Sequence, residues 1–238
     1  MRVEAQPAFI LHARPWRETS LLLEALTRDF GRVGLVARGV RGLRARLQRS
    51  ALEPLQALSL AWSGRGDLRT LTAVESTGGV CALHGERLLS AMYVNELLVR
   101  LSVRDDPNPG LFEHYAALLA ELAATPSLAW TLRRFERDLL AATGYALQLA
   151  TAADSGEAID PARDYDYLPE HGPVAAGAAA GGVRIRGSAL LALATERAPP
   201  DAADLAALRR LMRTLIGVHV GERGLQSWRV LAGPLRGA

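Results

Sequence analysis

Apolar and polar positions alternate with a period of two through much of the first eighty residues. Beyond them the repeat lengthens to that of a helix. Residues 7–14, PAFILHAR, read as a mostly apolar strand. Residues 18–27, ETSLLLEALT, fit strand or helix by pattern. The following RVGLVARGV run, with Val33, Leu35 and Ala37 on one face, favours a hairpin turned at Asp29–Gly31. Residues 38–53 break the alternation with glycines and arginines and read as a long, mobile, basic connection. LQALSLAW (55–62) and LRTLTAVE (68–75) alternate again across the turn Ser63-Gly64-Arg65-Gly66. Trp62 keeps phase with Leu58 and Leu60, so it reads as core or half-buried. Five short strands suit a small OB-type barrel, with a five-stranded SH3-like barrel as the competing shape.

From about residue 83 the pattern is helical. Residues 83–103 read as one amphipathic helix with Leu88, Leu89, Met92, Tyr93, Leu97, Leu98 and Leu101 inward. Asp105–Gly110 ends it, and a second helix over 111–124 stops at Pro126. Ser127 fits the N-cap of a third over 128–143, with Gly144 at its left-handed C-terminal position. Residues 150–186 show little periodicity and read as loops with a weak hairpin around YDYLP and GVRIR. Helices follow at 187–195 and 201–217. In the last, Asp201 near the start and Arg209, Arg210 and Arg213 towards the end match the helix dipole. The expected fold class is α+β: a five-stranded OB-type barrel over 1–80, then a mainly helical domain over 81–238 with an irregular insertion at 150–186.

Charge sharpens this division. The 238-residue chain carries a net charge of +3, and all 28 of its basic residues are arginine. Residues 1–80 hold 12 arginines against seven acids. Within residues 28–49, Arg28, Arg32, Arg38, Arg41, Arg44, Arg46 and Arg49 face one acid, Asp29. Such a block is a solvated loop or a phosphate-contacting stripe. The lack of lysine, an expected result of codon bias in a GC-rich genome, excludes a Walker-type phosphate loop and a Schiff-base lysine. Guanidinium remains, which forks onto phosphate and stacks on bases.

Other chemistry is missing. Cys81 is the single cysteine, so neither an internal disulfide nor a four-cysteine zinc site can form; it reads as a buried thiol. The five histidines form no His-Glu-x-x-His pattern, and no Gly-x-Ser-x-Gly elbow is present. The acids from Asp154 to Asp166 lack EF-hand spacing, and GAAAGGVRIRG (177–187) lacks a dinucleotide fingerprint. No apolar run approaches the ~20 residues of a membrane span, and the N-terminus lacks signal-peptide character. A non-enzymatic, cytoplasmic protein is expected.

Several segments together resemble the RecO family of recombination mediators. They are LHARPWRETSLLLEALTRDFGRVGLVARGVR (11–41), SALEPLQALSLAWSGRGDLRTLTAVE (50–75), YVNELLVRL (93–101), LRRFERDLLAATGYAL (132–147) and GLQSWRVL (224–231), in the family's order. The resemblance implies an N-terminal OB barrel and a helical domain. It also implies a nucleoid-associated role in DNA repair and recombination, with binding to single- and double-stranded DNA and annealing of complementary strands. Its expected partners are RecR and the acidic C-terminal tail of single-strand-binding protein, with no membrane. Many members carry a four-cysteine zinc motif after the Gly-Tyr matching Gly144-Tyr145. Here LQLATAADSGEAIDPARDYDYLP stands there, so this is the form without zinc, and no cofactor is expected.

Two candidate sites follow. For DNA the candidates are Arg14, Trp16, Arg17, Arg32, Arg38, Arg41, Arg44, Arg46, Arg49, Arg65 and Arg69, with Trp16 as the stacking side chain or, alternatively, a barrel plug or domain-interface residue. For the acidic tail they are Arg133 and Arg134, walled by Leu132, Phe135 and Leu139; the alternative is that one of the two arginines pairs with neighbours on the helix surface or with another domain.

Overall fold

A computed structural model describes residues 1–40, 51–78, 82–178, 180–196, 201–221 and 224–228. Its first five strands are β1 (Arg2–Trp16), β2 (Ser20–Thr27), β3 (Gly31–Ala37), β4 (Ala57–Ser63) and β5 (Arg69–Ser76). They close into a barrel of order β1-β2-β3-β5-β4. All pairs are antiparallel except β3–β5, where Leu35 faces Arg69 and Val36 faces Thr70. That parallel closure decides the barrel in favour of the OB type. β1 is long enough to serve two neighbours: Ala8 lies opposite Thr27 on one side and Leu58 on the other. Register shifts at Ile10/His12 and Val3/Gln6 let it bend around the barrel.

The alternating side chains fill the interior. Ile10, Leu23, Val33, Leu35, Leu60 and Trp62 are fully buried together. Phe30 meets Trp62 edge-on at 5.4 Å. The continuous burial of Ala8, Phe9, Ile10 and Leu11 in β1 has a second cause. Phe9 points out of the barrel and packs on Phe112 and Tyr115, at ring separations of 5.4 and 5.1 Å. These residues belong to helix α2 (Pro109–Ala124), which follows α1 (Gly85–Leu101). Asn95 of α1 joins all three elements: it donates to the Leu11 carbonyl at 3.0 Å and accepts from the Tyr115 hydroxyl at 2.6 Å. The helix is therefore oriented differently from the apolar-stripe expectation. Tyr93, Leu97 and Leu98 are buried, but so are Ser90 and Asn95, while Leu88 and Met92 face outward. A buried polar residue with satisfied partners has turned the stripe.

Met1–Ala124, with the segment that begins at Leu225, forms one compact unit; Thr125–Gly224 forms a second. In the second, helix α3 (Leu128–Ala142) starts at Ser127, whose hydroxyl accepts from the Trp130 amide at 3.4 Å, and Gly144 follows it with φ +90°. The region expected to be mostly loops contains a three-stranded sheet of β6 (Asp164–Leu168), β7 (Gly172–Ala175) and β8 (Val183–Arg186), ordered β7-β6-β8. The β6–β8 pair, with Tyr165 opposite Ile185, is the expected hairpin; β7 is an addition. Residues 149–160 are held by backbone bonds such as Ala152 N–H to Glu157 O (2.8 Å) and Ile159 N–H to Ala150 O (2.9 Å), and by buried Leu149 and Ile159. Helices α4 (Gly187–Thr195) and α5 (Ala202–Val220) complete the unit; the Asp201 carboxylate accepts from the Asp204 amide and caps α5. Among the described residues, no helix is long and apolar enough to cross a membrane.

Candidate nucleic-acid interface

Strand register brings part of the expected arginine set to one rim. Arg14 lies opposite Leu22 and Trp16 opposite Ser20 at the end of β1. Leu21 lies opposite Ala37 on β3, so Arg38, one residue further on, reaches the same rim. Arg14, Trp16, Arg17 and Arg38 are all exposed there. Trp16 is 37% exposed and is no barrel plug; Trp62 fills that place. Arg17 takes φ +53° at the β1–β2 turn, which directs the chain back into β2. The rim thus offers an aromatic face between guanidinium groups, the combination that binds single strands without sequence preference.

The remaining DNA candidates divide. Arg65 is exposed, but it sits in the β4–β5 turn beside Gly34 of β3 and not at the Trp16 rim; a Cβ on Gly34 would lie 2.7 Å from the Asp67 carbonyl oxygen. Arg32 and Arg69 are not presented to a polyanion. Arg32 donates to the Glu24 carboxylate at 2.5 Å and to the Ser102 carbonyl at 2.9 Å. Arg69 pairs with Asp105 at 2.6 Å. Both face the 102–106 segment. Arg41, Arg44, Arg46 and Arg49 lie outside the described residues.

The 102–106 segment forms a structural seam which the sequence pattern missed. Glu24 also accepts from Arg104, so one half-buried carboxylate holds two guanidinium groups. This hydrogen bond raises the Arg104 pKa further above its ordinary value. The Asp105 amide donates to the Arg32 carbonyl at 2.9 Å. Gly31, with φ +65°, lets the segment pass: a Cβ there would lie 2.0 Å from the Asp106 carbonyl oxygen. Glu24 and Arg104 are 80 positions apart, beyond the reach of any local spacing rule.

In the second unit, several of the residues expected to form the tail site are engaged within the fold. Arg133 is buried and paired with Glu136, one turn along α3 and itself fully buried. Phe135 and Leu139 belong to the core. Arg134 is half-buried and pairs with Glu196 at 3.3 Å. Leu132, two residues before Arg134, is half-buried. Glu196 also accepts from Arg137, and the hydrogen bond from Arg137, followed by the charge of both arginines, holds its carboxyl below the usual range.

Comparison with known proteins gives a consistent assignment. Residues 1–80 match the family model described as "Recombination protein O N terminal", and residues 83–229 match "Recombination protein O C terminal". The chain is 45% identical over 234 residues to the DNA repair protein RecO of Stenotrophomonas maltophilia strain K279a, covering 97% of each. It is 45% identical over 235 residues to the protein of that name from Xanthomonas euvesicatoria pv. vesicatoria, again covering 97% of each. To that from Nitrosococcus oceani it is 46% identical over 229 residues, covering 95% of this chain and 92% of the relative.

Proposed function

Because the chain belongs to the RecO family of DNA repair proteins, we propose that it binds single-stranded DNA on the β1–β3 rim of its barrel and anneals complementary strands. The observation that carries this reading is the exposed grouping of Arg14, Trp16 and Arg38 on an OB-type barrel. The basic residues Arg41, Arg44, Arg46 and Arg49 continue the same stretch of sequence. Annealing requires no catalytic group. Two strands repel through their phosphates, and a protein that neutralises both while leaving base edges free lowers that barrier. The guanidinium groups supply the neutralisation, and bases stack on Trp16 at about 1–3 kcal/mol each. In this role the protein, acting with RecR, helps to load recombinase onto strands coated by single-strand-binding protein, and it also contacts duplex DNA.

Arg134 is the remaining candidate for the coating protein's acidic tail. A tail carboxylate would exchange with Glu196 on Arg134, while Arg137 retains Glu196. Arg134→Glu is expected to abolish binding of a labelled tail peptide and to spare binding of naked strands.

The decisive test is strand annealing with and without coating protein across a salt series. Binding should weaken with salt by about 0.7 in log–log slope per phosphate contacted. Joint replacement of Arg41, Arg44, Arg46 and Arg49 by Ala should reduce that slope by about 3. Equal affinity for RNA and no response to the coating protein would instead mark a general nucleic-acid chaperone.

A further inference from the structure

We propose that the second unit carries a second single-strand site, with Tyr145 and His219 as a base-stacking platform and Arg209, Arg210 and Arg213 of α5 as its phosphate contacts. Two separate observations support it. The first is the platform. The rings of Tyr145 and His219 lie 3.8 Å apart at 31°, and Tyr145 remains 50% exposed. They border a hollow of about 380 Å³ that is floored by Leu140, Leu215 and Tyr167. Val218, beside His219, is itself 53% exposed. An exposed aromatic stack over a hollow with an apolar floor does not contribute to the core. Burying it beneath a flat ring would remove apolar surface from water without displacing any protein group.

The second observation is charge. Arg209, Arg210 and Arg213 are all exposed on α5, and no acid occurs from Leu205 to Val220. Arg209 and Arg213 are one turn apart, and Arg210, Thr214 and Val218 form one row along the exposed face. The arginines therefore lead along the helix towards the hollow. Arg213 and His219 are six residues apart, about 9 Å along the axis. The helix runs on to Val220, so Arg209 and Arg210 lie well before its last turn, and the dipole that their order in the sequence suggested does not account for them.

A ligand that suits both features has regularly spaced anions and flat apolar rings, which describes a single nucleic-acid strand. Glu170 on the wall of the hollow fixes the orientation. Its carboxylate repels phosphate, so the backbone follows the α5 arginines and only bases enter over the hollow. Such a site deepens the annealing role and depends on it: annealing brings two strands together, and the barrel rim alone accounts for one.

The test uses the full-length protein and oligonucleotides carrying 2-aminopurine, whose fluorescence falls on stacking. The Arg209→Ala/Arg210→Ala/Arg213→Ala variant should reduce the salt slope for single strands by about 2. It should slow annealing at least tenfold while leaving thermal unfolding within a few degrees of the parent. Tyr145→Ala should lose part of the 2-aminopurine quenching, and Tyr145→Phe should retain it. If the parent anneals but the arginine variant keeps its slope and rate, the second site is wrong and the rim-based function stands. If the parent binds no single strand at low salt, both fail. If quenching persists in Tyr145→Ala, the platform is overturned.

Discussion

Two places on the same barrel use arginine for opposite purposes. At the β1–β3 rim, Arg14 and Arg38 project into solvent around Trp16. At the seam, Arg32 and Arg104 close on Glu24, and Arg69 closes on Asp105. The residue type is the same and the strands are neighbours. The difference is a carboxylate within reach: Glu24 of the adjacent strand β2 for Arg32 and Arg104, and Asp105 from beyond α1 for Arg69. A guanidinium without such a partner remains hydrated and can exchange water and counterions for phosphate, whereas one that already has a carboxylate must lose it first. A basic stretch of sequence is therefore an upper bound on a binding surface, and internal acids reduce it.

The largest expected effect comes from breaking the seam. Glu24→Ala leaves two partly buried guanidinium groups without the carboxylate that they share. Removing one partner of a buried pair costs about 3–5 kcal/mol, and the 32% exposure of Arg104 moves the expectation to the lower end, about 3 kcal/mol. Denaturant unfolding should show this loss, while the salt slope of strand binding stays unchanged. A changed slope with unchanged stability would make the seam arginines part of the DNA surface and erase the contrast.

The rim should respond in the reverse way. Trp16→Ala is expected to weaken single-strand binding by about 1–3 kcal/mol, measured by fluorescence anisotropy. Joint replacement of Arg14 and Arg38 by Ala should lower the salt slope by about 1.4 and change stability by no more than ~0.5 kcal/mol, as for ordinary surface substitutions. Arg32→Ala is the control: it should lower stability and leave the slope alone.

These contrasts also show what was legible in the sequence. The barrel could be read because strand alternation is local, and Trp62 kept phase with Leu58 and Leu60. The rim could be read because Arg14 and Trp16 end a strand. The seam could not: Glu24 and Arg104 meet only after α1 has been laid across the barrel. The outward turn of Leu88 and Met92 escaped for a related reason, since Asn95 bonds to Leu11, 84 positions away. Strand β7, of sequence Gly-Pro-Val-Ala, is too short and too rich in breakers to show a period, and it pairs only because β6 provides an edge. Arg133 and Glu136 have visible i,i+3 spacing, yet spacing carries no information on burial, and burial is what removes Arg133 from a docking surface.

The smallest expected effect concerns an outer carboxylate–arginine pair, where the two regimes meet. Asp166 of β6 accepts from Arg184 at 2.6 and 3.2 Å and from the Gly177 amide at 2.6 Å. Its side chain is covered, but the Arg184 side chain is 57% exposed. The hydrogen bonds from Arg184 and then Gly177 outweigh desolvation and hold the Asp166 carboxyl below its ordinary pKa. The unfolded chain therefore takes up this proton at a higher pH than the folded chain does. The stabilising contribution is complete above the ordinary aspartate range, near pH 4, and is lost as pH falls through the lower folded value. Acid unfolding followed by circular dichroism should show Asp166→Asn less stable than the parent at neutral pH, with the two curves converging as the pH drops below 4. Salt should narrow the gap, because Arg184 is open to screening. The Glu24 seam, with both acid oxygens engaged and less solvent around them, should show much weaker salt dependence. Equal salt sensitivity at the two places would mean that exposure does not separate structural from available arginines.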